Sequence, residues 1–186
     1  MNFHNHSELE GQHAFLSASK YHWINYSSEK VAQAYINFLA SQRGTQLHAF
    51  ACECIRLGQR LPEENKTLNM YVNDAIGYMM TPEQPLFFSS NCFGTADAIG
   101  FDDHEHMLRI HDLKTGEGPT SMHQLEVYMA LFCLEYKKKP DKIDSELRIY
   151  QQKRVLIHHP NPLDILRIMD KIVTFDKEID KVKLGG

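Results

Sequence analysis

The residues best suited to chemistry lie close together in the second half of the chain, within segments that are otherwise apolar. Asp112 and Lys114 flank Leu113 in a stretch typical of a β-strand, so their side chains are expected to project on the same side. If the polar turn at 102–105 closes a hairpin, Asp97 lies on the neighbouring strand near Asp112. Two carboxylates so placed form a hard-oxygen site for Mg²⁺ or Mn²⁺, to which the Leu113 carbonyl could add a ligand.

Lys114 and two residues on the following helix extend this set of polar groups. A lysine beside metal-bound carboxylates can orient an attacking water as the ammonium or deprotonate it as the neutral amine, while the metal lowers the pKa of that water and holds phosphate oxygens. Gln124 and Tyr128 are four residues apart on one helix face, where both can donate hydrogen bonds to a phosphate or a base, and the tyrosine ring can stack on a base. Together these groups predict phosphodiester hydrolysis by in-line attack, in which positioning and electrostatics supply most of the catalysis.

Hydrophobic periodicity predicts the elements that would position these groups. The predicted order is helices over 31–44, 45–57 and 67–80, strands over 86–90, 93–101 and 107–113, a helix over 121–136, strands over 147–150 and 155–157, and a helix over 162–182. Ser17 and Thr45 are of the residue type that caps helix N-termini. The sequence therefore predicts an α/β fold with a central mixed sheet flanked by helices, in which a helical N-terminal part precedes the αβ core. No repeat or linker interrupts the pattern, so a single domain over 1–186 is expected.

The composition indicates an ordinary globular protein. Of the 186 residues, 42% are hydrophobic and 24% are charged, which argues against disorder or fibrous structure. The N-terminus has no signal-peptide pattern and no apolar run reaches the ~20 residues of a membrane span, so a soluble cytoplasmic protein is expected. The formal net charge of −4 argues against nucleic-acid binding by bulk charge, but not against an enzyme whose metal ions supply positive charge locally.

Motifs around these residues resemble those of the PD-(D/E)xK nucleases, and specifically of the RecB-like branch. Asp97, Asp112-Leu113-Lys114 and the segment from Gln124 to Tyr128 resemble the acidic, DxK and QxxxY motifs of that branch. Upstream, Gly44-Thr45-Gln46-Leu47-His48 is similar to its helical GTxxH motif, and Leu16-Ser17-Ala18-Ser19 to its N-terminal LSxS segment. A DxK motif alone is common, but these motifs follow one another in the order of the family and on the expected kinds of element.

The resemblance implies a restriction-endonuclease-like core and a role for each matching residue. It implies metal ligation by His48, Asp97, Asp112 and the Leu113 carbonyl, catalysis by Asp97, Asp112 and Lys114, and substrate contacts by Gln124 and Tyr128. An imidazole among oxygen ligands makes Mn²⁺ competitive with Mg²⁺ as the cofactor. Some RecB-like nucleases hold an iron–sulfur cluster through three cysteines near the C-terminus. This chain has no cysteine after Cys133, so no cluster is expected.

The function implied by the resemblance is a metal-dependent DNA nuclease. Minimal stand-alone versions resemble phage or recombination exonucleases, which favours an enzyme that processes DNA ends in recombination, repair or phage DNA metabolism. Single- or double-stranded DNA is the expected partner, and the pattern is compatible with an oligomer and with a recombination partner protein. Three alternatives stay open: a structure-specific endonuclease, a catalytically silent nuclease-fold module that binds DNA or protein, and a zinc- or nickel-binding histidine protein.

Simpler structural roles also stay open for most of these residues. His48 could be an ordinary histidine on a helix face, and Asp97 could form a buried salt bridge with Lys114. Asp112 and Lys114 could form a plain surface pair, and Tyr128 could belong to the apolar core. The choice depends on whether the side chains meet in space.

Overall fold

The structure is a computed structural model that describes Asn5, Ser7, Gly11 and residues 14–185. The chain forms two compact units, Met1–Thr45 and Gln46–Gly186. Every candidate residue for metal binding, catalysis or substrate contact lies in the second unit. The single nuclease domain expected from the sequence stays a prediction.

The described part of the first unit includes an irregular helical segment. Ala18–Asn25 forms a 3-10 helix with non-helical backbone at Lys20, instead of a regular helix capped by Ser17. The Ser17 hydroxyl lies 2.8 Å from the hydroxyl of Ser19, and its carbonyl accepts a hydrogen bond from Trp23 Nε1 at 2.9 Å. Because these local bonds occupy the groups that a cap would use, they favour tight turns over a regular α-helix.

A long helix, α1, spans Ser28–Leu57 and corrects the prediction of two helices separated at Gly44. A break is expected there because glycine favours helix ends, but glycine inside a helix costs only about 1 kcal/mol relative to alanine. Thr45, expected as a cap, instead donates its hydroxyl hydrogen to the carbonyl of Ser41 at 3.3 Å, as threonine does inside a helix. His48 therefore lies within a continuous helix rather than in the first turn of a new one.

Five strands form one mixed sheet in the second unit. In chain order they are β1 (Thr81–Ser89), β2 (Cys92–Asp102), β3 (Met107–Leu113), β4 (Asp144–Gln151) and β5 (Arg154–His158). Their spatial order follows the chain, and neighbouring strands are antiparallel except for β3 and β4, which are parallel. The prediction of an α/β fold with a central mixed sheet flanked by helices is confirmed. β1 begins at Thr81 rather than at residue 86, which adds Glu83 to the strand.

Helices cover both faces of this sheet. The remaining helices are α2 (Thr67–Gly77), α3 (His123–Glu135) and α4 (Pro162–Gly185), with a short 3-10 helix, Pro140–Lys142, between α3 and β4. The crossover through α3 allows β3 and β4 to run parallel, since parallel strands cannot be joined by a tight turn. Along the described residues, no helix combines the length and the apolar character that a membrane crossing requires.

Two hydrophobic cores hold the layers of the second unit together. The larger core joins the sheet to α3 and α4, through residues such as Ile110, Leu125 and Ile165. The smaller core joins the other face of the sheet to α2 and to the C-terminal part of α1, through residues such as Ala51 and Val72. The candidate site forms at the C-terminal end of β3, beside the middle of β2 and between these two cores.

Candidate active site

Asp97 lies on β2 at the point where its backbone pairing with β3 stops. Ala98 is the last β2 residue in register with β3, where it lies opposite His111. Beyond Ala98, the Asp97 carboxylate replaces the backbone pairing between the two strands, because its Oδ2 accepts a hydrogen bond from the Leu113 backbone N–H at 2.9 Å. The same oxygen lies 3.4 Å from Nδ1 of His48 on α1. The histidine of the GTxxH-like motif and the first aspartate therefore meet in space.

Glu83 on β1 joins this pair, and the sequence analysis does not identify it. Its two chain neighbours lie opposite the two neighbours of Asp97, so the two acidic residues face each other across the hairpin. Glu83 has a φ of 50°, in the left-handed region that is uncommon for a residue with a side chain. One candidate ligand atom from each of Glu83, Asp97 and His48 lies within 4.8 Å of the others. Backbone irregularities of this kind are concentrated near functional sites, where they redirect a side chain.

At Asp97 the side chains of β2 also change the face of the sheet to which they point. Gly94 and Ala96 face α3: Ala96 belongs to the core beneath that helix, and a Cβ on Gly94 would come within 2.9 Å of the Tyr128 ring. Ala98 belongs to the core on the opposite face, although regular alternation would keep it on the side of Ala96. Asp97 is the residue at which the strand changes faces, which directs its carboxylate toward the C-terminal end of β3 and toward His48 on α1.

Asp112 is the most deeply buried acidic group of the site, with a side chain only 3% exposed. Its Oδ1 accepts a hydrogen bond from Lys114 Nζ at 3.0 Å. Within the described part of the chain, its Oδ2 is buried and has no hydrogen-bond partner. Burial raises the pKa of Asp112, and the negative charge of Asp97 raises it further. A buried oxygen without a partner normally costs free energy, which a bound cation would relieve.

The pKa of Asp97 is raised for a similar reason. Burial is the largest cause, and the hydrogen bond from the Leu113 N–H and the nearby His48 both act in the opposite direction. The negative charge of Glu83 also raises the pKa of Asp97, as that of Asp97 raises the pKa of Asp112, so the three carboxylates form a site with excess negative charge. Such a site favours binding of a divalent cation over the metal-free state.

Lys114 is held between the second carboxylate and α3. Its ammonium donates to Asp112 Oδ1 and also to Gln124 Oε1, the latter at 2.9 Å. The Gln124 side-chain amide in turn donates from Nε2 to the Tyr128 hydroxyl at 3.1 Å. The tyrosine thus fixes which end of the amide faces the lysine, and the glutamine carbonyl fixes the position of the ammonium. The predicted substrate contacts of Gln124 and Tyr128 stay predictions, as does the Leu113 carbonyl as a ligand.

A polar network supports β3 and β4 behind the site, on the face of the sheet covered by α2. Asp74 accepts hydrogen bonds from Arg148 at 2.9 Å and from the Tyr150 hydroxyl at 2.7 Å. That hydroxyl lies 3.3 Å from Nδ1 of His111, the residue preceding Asp112. Burial lowers the pKa of His111 to about 3, so the imidazole is neutral near pH 7. The network therefore anchors the strand that carries Asp112 without placing another charge beside the carboxylates.

The chain matches no protein-family model, no curated protein and no solved structure. The interpretation of the site therefore depends on the geometry and chemistry of its own residues. Those residues come from α1, β1, β2, β3 and α3, and they meet at one end of the sheet.

Proposed function

We propose that the chain is a metal-dependent deoxyribonuclease of the RecB-like branch of the PD-(D/E)xK nucleases, and that it acts as an exonuclease on DNA ends. The observation that carries the proposal is the meeting of Asp97, Asp112 and Lys114 beside His48, from distant parts of the sequence. The strand order supports it as well, because an antiparallel three-stranded meander followed by a helix and a parallel strand fits a restriction-endonuclease-like core.

The donor set fits Mg²⁺ or Mn²⁺. His48, Glu83, Asp97 and Asp112 would supply carboxylate oxygens and one imidazole nitrogen, and oxygen-rich sets of this kind suit these hard cations. Among the described residues, the buried Asp112 Oδ2 has no hydrogen-bond partner, so a bound cation would stabilise this atom in particular. When bound, the metal would supply a water of lowered pKa and positive charge for the phosphate oxygens.

The side chains around the metal position would orient the attacking water and hold the lysine ammonium in place. Lys114 would hold its ammonium beside the reacting phosphate and the attacking water, where it can orient the water and stabilise the negative charge that develops on the phosphate oxygens. Gln124 would keep that ammonium in place through its carbonyl oxygen, 2.9 Å away. Asp112 holds the same ammonium from the other side through the hydrogen bond at 3.0 Å. These functions are positioning and electrostatic stabilisation, which supply most of the rate acceleration in phosphoryl transfer.

Incubation with defined DNA substrates tests the proposed activity. End-labelled linear duplex, closed-circular duplex and circular single strands would be incubated with EDTA, Mg²⁺ or Mn²⁺. We expect cleavage of linear DNA with either metal, no cleavage in EDTA, and survival of both circular forms. Cleavage of circular DNA would instead assign an endonuclease of the same fold. DNA binding without cleavage in any metal would assign the catalytically silent module and contradict the proposal.

Glu83 provides a separate test of the metal centre. Glu83→Gln removes a charged oxygen donor while keeping the size of the side chain, and we expect it to weaken Mn²⁺ binding by about tenfold or more, as loss of metal-supporting groups commonly does. Isothermal titration of the metal-free protein with Mn²⁺ measures this directly. Glu105→Gln, in the exposed turn between β2 and β3, is the matched control and should bind Mn²⁺ as the wild type does. Unchanged affinity in Glu83→Gln would remove Glu83 from the ligand set.

A further inference from the structure

A pair of exposed phenylalanines lies on the β1–β2 hairpin, away from the candidate ligands. Phe87 and Phe93 lie opposite each other in the hairpin register, with ring centroids 6.5 Å apart and ring planes inclined by 28°. The two residues are 54% and 67% exposed. Large aromatic side chains normally contribute their area to a core or an interface, so two adjacent exposed rings indicate a binding surface.

The pair lies on the same side of the hairpin as the first carboxylate of the site. Leu86 and Ala96 are buried in the core beneath α3, so strand alternation directs Phe87 and Phe93 to the opposite face. Asp97 follows Ala96 directly, and its side chain points away from the α3 face and toward His48 on α1. The rings and the carboxylate therefore lie along one face of the same two strands.

The distance between rings and carboxylate matches the dimensions of a nucleic-acid strand. Phe93 precedes Asp97 by four residues, which corresponds to about 13 Å along a β-strand. At about 3.4 Å per stacked nucleotide this is about four nucleotides, and fewer if the strand is stretched. Pro85 and Thr95 lie between the two positions and are exposed and uncharged. The Glu135 carboxylate accepts a hydrogen bond from the Phe87 N–H at 2.9 Å, so stacking on the rings, and not local charge, would hold the strand here.

We propose that Phe87 and Phe93 form a stacking platform for unpaired nucleobases of the strand that enters the candidate active site. This inference rests on the proposed nuclease function and adds the substrate class, a strand whose bases are already unpaired as it approaches. Aromatic rings stack on any base because every base has a π-face. In an intact duplex the base faces are covered by their neighbours, so the platform selects single strands and frayed ends.

A second protein is a poorer occupant for this surface. Stable protein interfaces bury about 800 Å² on each partner, which two side chains cannot supply. The hairpin tip next to the rings, Ser90 and Asn91, is polar. A nucleobase needs no more area than the rings themselves provide.

Binding in EDTA tests the platform separately from cleavage. The probes are fluorescein-labelled oligo-dT of twelve nucleotides, the same backbone with abasic residues, and a blunt DNA hairpin, all followed by fluorescence anisotropy with the full chain. We expect Phe93→Ala to weaken oligo-dT binding by about fivefold or more, and Phe87→Ala to behave similarly. Phe93→Trp should restore the affinity. The abasic strand should bind the wild type more weakly and lose nothing further in Phe93→Ala, because its backbone offers no base to stack.

Tyr21→Ala is the matched control, since that ring is 57% exposed and belongs to the other compact unit of the chain. It should leave every affinity unchanged. Equal oligo-dT affinity of wild type and Phe93→Ala, or an equal loss on the abasic strand or the hairpin, would overturn the platform. A change of oligomeric state in Phe93→Ala, or no DNA binding by the wild type, would overturn it too. Ring-dependent binding by a chain that never cleaves DNA would keep the platform and remove the nuclease.

Discussion

Replacing Asp112 with asparagine is expected to reduce DNA cleavage by at least about a thousandfold, because the change removes the charge of a metal ligand at the reacting centre. The same change should leave the metal-free protein as stable as the wild type or more so. Asp112 is buried near Asp97, and its Oδ2 has no hydrogen-bond partner among the described residues. Loss of its charge removes the cost of burying a carboxylate and the repulsion from Asp97, which outweigh the bond from Lys114 because the pKa of Asp112 is raised overall. A gain in stability on loss of activity is common at functional sites.

Thermal unfolding with and without Mn²⁺ separates the two effects. Mn²⁺ should raise the melting temperature of the wild type, since a ligand that binds the folded state stabilises it, and should raise that of Asp112→Asn much less. The metal-free melting temperature of the variant should equal or exceed that of the wild type. Asp144→Asn, at the exposed start of β4, is the matched control for both measurements. Cleavage by Asp112→Asn at the wild-type rate would end the proposed mechanism.

Replacing Lys114 with methionine is expected to lower the cleavage rate by about 10²- to 10⁴-fold, the range typical for loss of a positioned acid–base group. Methionine keeps the length and apolar stem of the lysine and removes the ammonium that Asp112 and Gln124 hold. Binding of DNA should change little by comparison, since one lysine supplies a small part of the contact with a phosphate backbone. The effect should therefore appear in kcat more than in KM.

Two further variants define what the lysine contributes. Lys114→Arg keeps the positive charge, but its larger planar guanidinium does not fit a site built for a compact ammonium, so its activity should also be low. Lys142→Met, whose side chain is 73% exposed on the short 3-10 helix, is the control and should retain full activity. Single-turnover rates with saturating DNA are the measurement. A Lys114→Met rate within tenfold of the wild type would assign the lysine a structural role.

Several features of the site follow from simple periodicity in the sequence. The two-residue repeat of a strand places Asp112 and Lys114 on one side, and the hairpin turn at 102–105 brings Asp97 near Asp112. The four-residue repeat of a helix aligns Gln124 with Tyr128. These relations are local or depend on one tight turn, so a sequence pattern can anticipate them. The roles of the residues in metal binding and catalysis stay predictions.

Glu83 and the continuous α1 could not be anticipated in the same way. Glu83 lies between two prolines, Pro82 and Pro85, and this pattern predicts a loop at these positions. In the structure the same residues belong to β1, which is an edge strand, where prolines are tolerated. Its position depends on a backbone irregularity, since its φ of 50° lies outside the regular strand range. A carboxylate three residues before the strand predicted over 86–90 was the available signal. At Gly44, the free-energy cost of glycine within a helix is only about 1 kcal/mol relative to alanine, and the helical residues on either side outweigh it.

The bond between the Asp97 carboxylate and the Leu113 amide has a consequence for how the chain can change over generations. That carboxylate replaces a backbone hydrogen bond between β2 and β3 and so stabilises the sheet. Asp97 would therefore be kept even in a copy of the gene that is no longer selected for activity. The side chains of Lys114 and Asp112 bond to each other and do not replace a bond of the sheet, so this pair would be lost together and before Asp97. An inactive descendant would thus be recognised by the loss of Lys114 and Asp112 beside a retained Asp97.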